Sequence, residues 1–458
     1  MSEGLPRLEQ RQRSALDEQV VYPWEDVSVP TTDKTFLTAG KGVYVYDNDG
    51  NELLDGPGGM WCVNIGHGSQ EIADAIAEQA LTLGYVSPWS FGIDSTLELT
   101  KRLADYAPGD LNHIFYTTCG STAVDSALRF VFFYNNCLGR PTKKKIISRV
   151  GAYHGSTFLG ATVCGKQSDK ANMDMVAEGL VHHVSMPNPL LRPDDMSIAA
   201  FCDSLVDELD ATIRELGAEN VAAFIAEPVM GSGGVIVPPP GYHAKTLEVC
   251  RTHDVLYISD EVVTAFGRMG AMFASEEVFD IVPDLVTTAK GLTSGYVPMG
   301  AVFISDRLFN DLREASSEST YFSNGYTYSG HPVAVAAAEA NLNVMERDHL
   351  LAHVRDVGPY FQERLQQLNR FDVVREVRGQ GLMAAVELCL DARSPDEARD
   401  SEFALIVDRL CQQNGLIVRP VYNSCVFSPP LIITREQIDT LVETLGSAIA
   451  AAVEELES

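Results

Sequence analysis

Lysine is scarce in this chain: ten residues in 458, so arginine supplies most of the 34 basic side chains set against 63 acidic ones. A formal charge of −29 offers no attraction for nucleic-acid phosphates or an anionic membrane, and neither is expected as a partner. The charge suits solubility, and adaptation to salty surroundings is a second reading of it. No run of about 18 apolar residues is present to span a bilayer. The first thirty residues mix acidic and basic side chains without the apolar core of a signal peptide. The nine cysteines are odd in number and contain no CxxC pair, as expected of reduced, buried small residues in a cytoplasmic protein. Low-complexity linkers and internal repeats are also missing.

What is present is the material for two packed domains: 45% hydrophobic residues in a chain longer than one ordinary core can use. Gly42 to Asp55 reads as two strands around an Asp-Gly turn. From about residue 70 to 335, short apolar strands alternate with helical patterns. The strands are His113 to Thr118, Lys145 to Val150, Val221 to Ala226, Val255 to Ser259, Leu285 to Ala289 and Gly300 to Ile304. That alternation predicts an α/β fold with a mainly parallel, doubly wound sheet. Beyond it come helical residues 333 to about 370, strands from Val373 and Leu382, a helix over about 401 to 414 and a C-terminal helix. These read as a smaller α+β domain. The expected division is an N-terminal segment 1–69 contributing to the small domain, a large domain 70–335 and a C-terminal small domain 336–458.

The chemistry sits where these strands end. Lys290 closes the apolar strand Asp284-Leu-Val-Thr-Thr-Ala-Lys290 before a glycine-bracketed loop, and a lysine gains nothing structural from such a place while losing its hydration. Burial lowers an amine's pKa and makes it a nucleophile able to form a Schiff base with pyridoxal 5′-phosphate (PLP). Asp260 ends the buried strand Val255-Leu-Tyr-Ile-Ser-Asp260 and supplies the carboxylate that a pyridinium nitrogen needs. Gly120-Ser121 joins a strand to a helix, with Ser121 expected at the N-cap. Such a cup suits a phosphate, although a plain capped helix would read the same way. Gly151-Ala-Tyr153-His154-Gly155 would let an aromatic ring approach a flat ligand, and Glu227 stands at a strand end before a glycine-rich turn. His154 has no second ligand at metal spacing, and no metal is expected. In open α/β sheets ligands bind at the carboxyl ends of strands, where all these residues fall.

Asp260-Glu-Val, Thr-Ala-Lys290-Gly, Asn324-Gly-Tyr-Thr327-Tyr-Ser-Gly-His-Pro332 and Gly415-Leu-Ile-Val-Arg419-Pro resemble, in order, the PLP-dependent class III (omega) aminotransferases, amine:pyruvate type. The resemblance runs from about residue 20 to 445. It implies the PLP transferase fold type I and a homodimer with active sites at the interface, a tetramer being the alternative. It also implies ping-pong transfer of an amino group from an amine or omega-amino acid to a keto acid, commonly pyruvate. It assigns Lys290 to the Schiff base and Asp260 to the ring nitrogen. Val262 and Tyr153 would lie on the two ring faces, with Glu227 near the ring hydroxyl. Gly120 and Ser121 would hold the phosphate, aided by Thr327 from the neighbouring subunit. Arg419 would grip the acceptor's carboxylate, and Trp24, Trp61 and Trp89 would line or approach the substrate pocket. Two departures stand out: Thr122 replaces the carboxylate common after Gly-Ser, and Ser232 replaces a second glutamate found in ornithine- and 4-aminobutyrate-type relatives. A racemase or decarboxylase on the same fold, or a non-enzymatic descendant, are the alternative readings.

Overall fold

In the computed structural model, the protein is described over residues 16–17, 19–28, 34–175, 177, 179–316 and 320–457; most of the expected irregular N-terminus lies outside them. A seven-stranded sheet forms the centre. Its order is His113–Thr117, Gly300–Ile304, Leu285–Thr288, Leu256–Asp260, Val221–Ala226, Lys145–Arg149 and Val181–Val184. Gly300–Ile304 runs antiparallel to both neighbours, and the other pairings are parallel. The expected mainly parallel sheet is therefore observed, together with an edge strand, Val181–Val184, that the sequence pattern did not single out.

Every residue of Val221–Ala226 is buried, as a parallel strand covered on both faces requires. Ala223 and Ile225 pack against the helix Gly120–Cys137, whereas Phe224 and Ala226 face the side of the helix Ile198–Leu216. A cavity opens at the carboxyl ends of these strands. The fold is a mixed α/β architecture around a parallel-rich sheet, the class that the strand pattern predicts.

Tyr44–Asp47 and Glu52–Asp55 form the expected hairpin. A preceding strand, Leu37–Lys41, and the distant pair Leu416–Ile417 complete its sheet. A further antiparallel sheet holds Val374–Gln380, Met383–Leu388, Ser424–Phe427 and Arg419–Val421. It packs beside the helices Leu350–Gln366, Glu397–Gln413 and Arg435–Glu457 through one continuous apolar core. Among the described residues no helix is long and apolar enough to cross a membrane.

Candidate active site

Three consecutive parallel strands deliver three charged side chains to one cavity of about 580 Å³: Glu227 after Val221–Ala226, Asp260 at the end of Leu256–Asp260, and Lys290 after Leu285–Thr288. Lys290 has a φ of 43°, in the left-handed region that a side-chain-bearing residue adopts at a cost. The chain thus turns sharply out of the strand and directs the amine into the cavity. Burial holds that amine below the ordinary lysine range, against the opposing pull of Asp260.

Asp260 is 5% exposed and its carboxylate is held on several sides. Oδ2 lies 2.7 Å from Nδ1 of the buried His154, while Oδ1 accepts from the Val262 amide and the Thr287 hydroxyl, each at 3.2 Å. This network fixes the carboxylate's direction and lets the site keep a charge that would be costly alone. His154 entered the sequence reading only as a metal ligand to be dismissed. Its adjacency to Tyr153 was visible, but its contact with Asp260 spans two strands and left no local signal. Glu227 accepts from the amides of Tyr153 at 3.2 Å and Gly231 at 2.9 Å, and burial raises its pKa.

The anion cup differs in one respect from its expectation. Cys119, not Ser121, is the N-cap, and the helix begins at Gly120. Thr122 is the reason: its hydroxyl accepts from the Cys119 amide at 2.9 Å and closes the first turn there, which places Ser121 inside the helix. Ser121 Oγ instead accepts from the Ser156 amide at 3.0 Å. That bond ties the cup to the Tyr153–Gly155 loop. A Cβ on Gly120 would stand 2.8 Å from Val262 Cγ1, and one on Gly155 would stand 2.7 Å from Ser121 Oγ. Glycine at both positions keeps the cradle open.

Tyr153 makes an edge-on contact with Trp24, ring centres 5.9 Å apart, and Trp61 is buried against Gly231. Arg419 lines the cavity, contacts Met60 Sδ at 2.7 Å and forms no ion pair with any described residue; burial lowers its pKa. The cavity therefore unites Trp24, Trp61, Gly120, Ser121, Tyr153, Glu227, Asp260, Val262, Lys290 and Arg419. Thr327 and Trp89 are not among its walls. Both are exposed on the outer surface, where Tyr85 Oη donates to the Thr327 carbonyl at 2.9 Å. Lys166, Asp169 and Tyr422 also line the cavity, and sequence reasoning missed all three.

PLP fits this set of groups. A buried amine is available for its aldehyde, a hydrogen-bonded carboxylate for its ring nitrogen, and a helix N-terminus with a hydroxyl for its phosphate. The glycines that keep Gly120 and Gly155 clear of Val262 and Ser121 leave space between these groups for a flat ring, and the volume is that of a cofactor site.

Known proteins agree. The putrescine–pyruvate aminotransferase of Pseudomonas aeruginosa is 40% identical over 408 residues, spanning 89% of this chain and 88% of the relative. The mitochondrial gamma-aminobutyrate transaminase 1 of Oryza sativa subsp. indica is 38% identical over 422 residues, 91% of this chain and 81% of the relative. Among solved structures, the omega transaminase of Pseudomonas jessenii in complex with PMP superposes with a TM-score of 0.92 at 34% identity, covering 97% of this chain and 99% of that one. An (S)-enantioselective omega-transaminase from Thermomicrobium roseum gives 0.92 at 34% identity, with 98% and 100% covered. The aminotransferase class-III profile matches residues 27–449. This chain belongs to the class III aminotransferases and is a PLP-dependent transaminase.

Proposed function

We propose that the enzyme moves an amino group from an amine or omega-amino acid to pyruvate by a ping-pong mechanism, with Lys290 and Asp260 as its catalytic residues. The observation that carries the reading is their convergence, from adjacent strand ends, on one cavity. PLP, when bound, accepts the amino group and withdraws electron density from the reacting carbon. Asp260 keeps a proton on the ring nitrogen, and His154 orients that carboxylate through its 2.7 Å contact. Lys290 would hold the cofactor through its amine and, with that amine in the cavity, is placed to move a proton to and from the reacting carbon. Gly120 and Ser121 would hold the phosphate, Val262 and Tyr153 would pack against the ring, and Glu227 would face its hydroxyl.

Arg419 receives the acceptor's carboxylate. Support comes from its unpaired guanidinium in the cavity wall and from the pyruvate in the name of the Pseudomonas aeruginosa relative. Trp24 and Trp61 shape the donor pocket; Trp89, exposed on the outer surface, would reach a site only across a dimer interface. In place of a racemase or decarboxylase, a transaminase gives Arg419 a task.

The reading extends to a homodimer in the cytoplasm. Exposed Trp89, Phe91, Tyr321 and Tyr328 lie on the chain segments around Thr327, and a dimer would bury them while carrying Thr327 to the partner's phosphate. All nine cysteines are free, as a reducing compartment keeps them. We further read residues 1–69 and 336–458 as one small domain against a large domain 70–335, with the helix Pro332–Arg347 as the link between them.

A panel of amines with pyruvate, scored by alanine formed, tests the function: no alanine from any donor would refute it. Mixing Lys290→Ala with Thr327→Ala chains tests the dimer. Subunit exchange should regenerate one intact site per heterodimer, whereas verified exchange without recovered activity would show that the phosphate is held within one chain.

A further inference from the structure

We propose that Lys166 is a second anion-binding residue at the mouth of this cavity, one that takes the remote acid group of an omega-amino acid donor. The inference rests on the transaminase reading and narrows its donor class.

Lys166 is one of only ten lysines, and its side chain is 13% exposed. An ammonium carries three donors. This one has a single long hydrogen bond, 3.4 Å to the Ser232 carbonyl, and sits 4.9 Å above the Tyr422 ring. Asp169 Oδ2 is 4.0 Å away, beyond hydrogen-bond reach. The cation is thus held by an aromatic face, one long hydrogen bond and a loose ion pair with Asp169, which leaves two of its three donors unspent in the wall of the substrate cavity.

Its position is fixed from both sides. The preceding Gly165 exchanges backbone bonds with Gly151 and Ala152, at 3.1 and 2.8 Å, and a Cβ there would stand 1.9 Å from the Arg149 carbonyl oxygen. No other residue fits, so the backbone carrying Lys166 is pinned to the end of the central sheet. Tyr422 has a φ of 54°, an expensive conformation for a tyrosine, directly after the strand Arg419–Val421. One hairpin therefore carries both Arg419, on its first strand, and the ring beneath Lys166, at its turn.

Charge decides which ligand suits the mouth. Lys290, Asp260 and Glu227 belong to the floor, which leaves Arg419 and Lys166 against Asp169. Two cations facing one carboxylate favour an acid group over the remote ammonium of a diamine.

The test compares 4-aminobutyrate with n-butylamine, equal in carbon chain but differing in the acid, using the holoenzyme and pyruvate. In Lys166→Gln the ratio of kcat/KM for the two donors should fall roughly tenfold or more, the worth of a charge-assisted hydrogen bond, while Lys166→Arg should keep it. An unchanged ratio, or a parent enzyme that prefers putrescine to 4-aminobutyrate, overturns the proposal. A change confined to 2-oxoglutarate relative to pyruvate would give the subsite to the acceptor and overturn the donor assignment. If no amine reacts with pyruvate, the amine-to-pyruvate reading has failed, and calorimetry decides the subsite alone. Valerate should then bind Arg419→Ala holoenzyme at least tenfold more tightly than the Arg419→Ala/Lys166→Gln form, and equal affinities refute it.

Discussion

The floor and the mouth of the cavity are built on opposite terms. On the floor, Asp260 and Glu227 are nearly inaccessible and each carboxylate accepts several hydrogen bonds from neighbouring strands and loops. At the mouth, Trp24 is 62% exposed, Arg419 touches a methionine sulfur and Lys166 rests on a ring. Polar groups spent on one another hold a cofactor in one orientation. Polar groups left unspent are available to a substrate. On the proposed reading, the sheet sets the enzyme's chemistry and the loops above it set its choice of donor.

Substitutions on the floor should strike the reaction whatever the donor. Lys290→Ala should cost several orders of magnitude in turnover, since both the nucleophile and the proton carrier are removed; assays with a donor and pyruvate but no further small amine to replace the lost side chain check this, and substantial residual transamination would contradict it. Asp260→Asn should leave the fold intact and slow the chemical step roughly 100- to 1,000-fold, the range for loss of one preorganised electrostatic partner. Rapid single-turnover measurement with any reactive amine reads it.

At the mouth the losses should depend on the substrate. Arg419→Ala should weaken the pyruvate half-reaction roughly 10- to 150-fold, the value of a charge-assisted guanidinium–carboxylate contact, and leave n-butylamine far less affected. Stopped-flow traces of the two half-reactions separate the cases. Equal losses in both would erase the distinction between floor and mouth at this residue.

The smallest effect concerns stability. Burial lowers the Lys290 pKa in the folded chain, so the unfolded chain binds the extra proton and stability rises with pH through this window. The penalty is complete at low pH and disappears as pH climbs past the ordinary lysine value of about 10.4. Cofactor-free Lys290→Met should therefore resist urea better than its parent by about 1 kcal/mol or more near neutrality, for each pKa unit of lowering, and the gap should close in alkali. A gap that stays constant with pH would mean that packing, not desolvation, separates the two.

The same contrast explains what the sequence disclosed. Apolar runs ending in Asp260 and Lys290 announce both the strands and their charged ends, because a parallel strand covered on both faces has no polar positions to blur the pattern. Val181-His-His-Val184 escaped notice because an edge strand can afford two histidines, and Leu37–Lys41 because its residues are mostly exposed. The helix start slipped from Cys119 to Ser121 because serine is the commoner cap, yet Thr122 settles it with its own hydroxyl. Lys166 and Asp169 gave no signal at all. Their meaning depends on Tyr422 and Arg419, which the chain brings beside them only after folding.

The parallel pairing of Leu54 with Leu416 reaches across nearly the whole chain. On the ribosome the hairpin is made long before the strand that completes its sheet. Its open edge must stay unpaired, or shielded, until that strand is made. A pairing of such high contact order forms slowly once it can form, and the strand that carries Arg419 follows immediately after it. Newly made chains should thus acquire the central sheet before the mouth of the cavity, and a nascent enzyme should be able to gather its floor residues while it still cannot select a substrate.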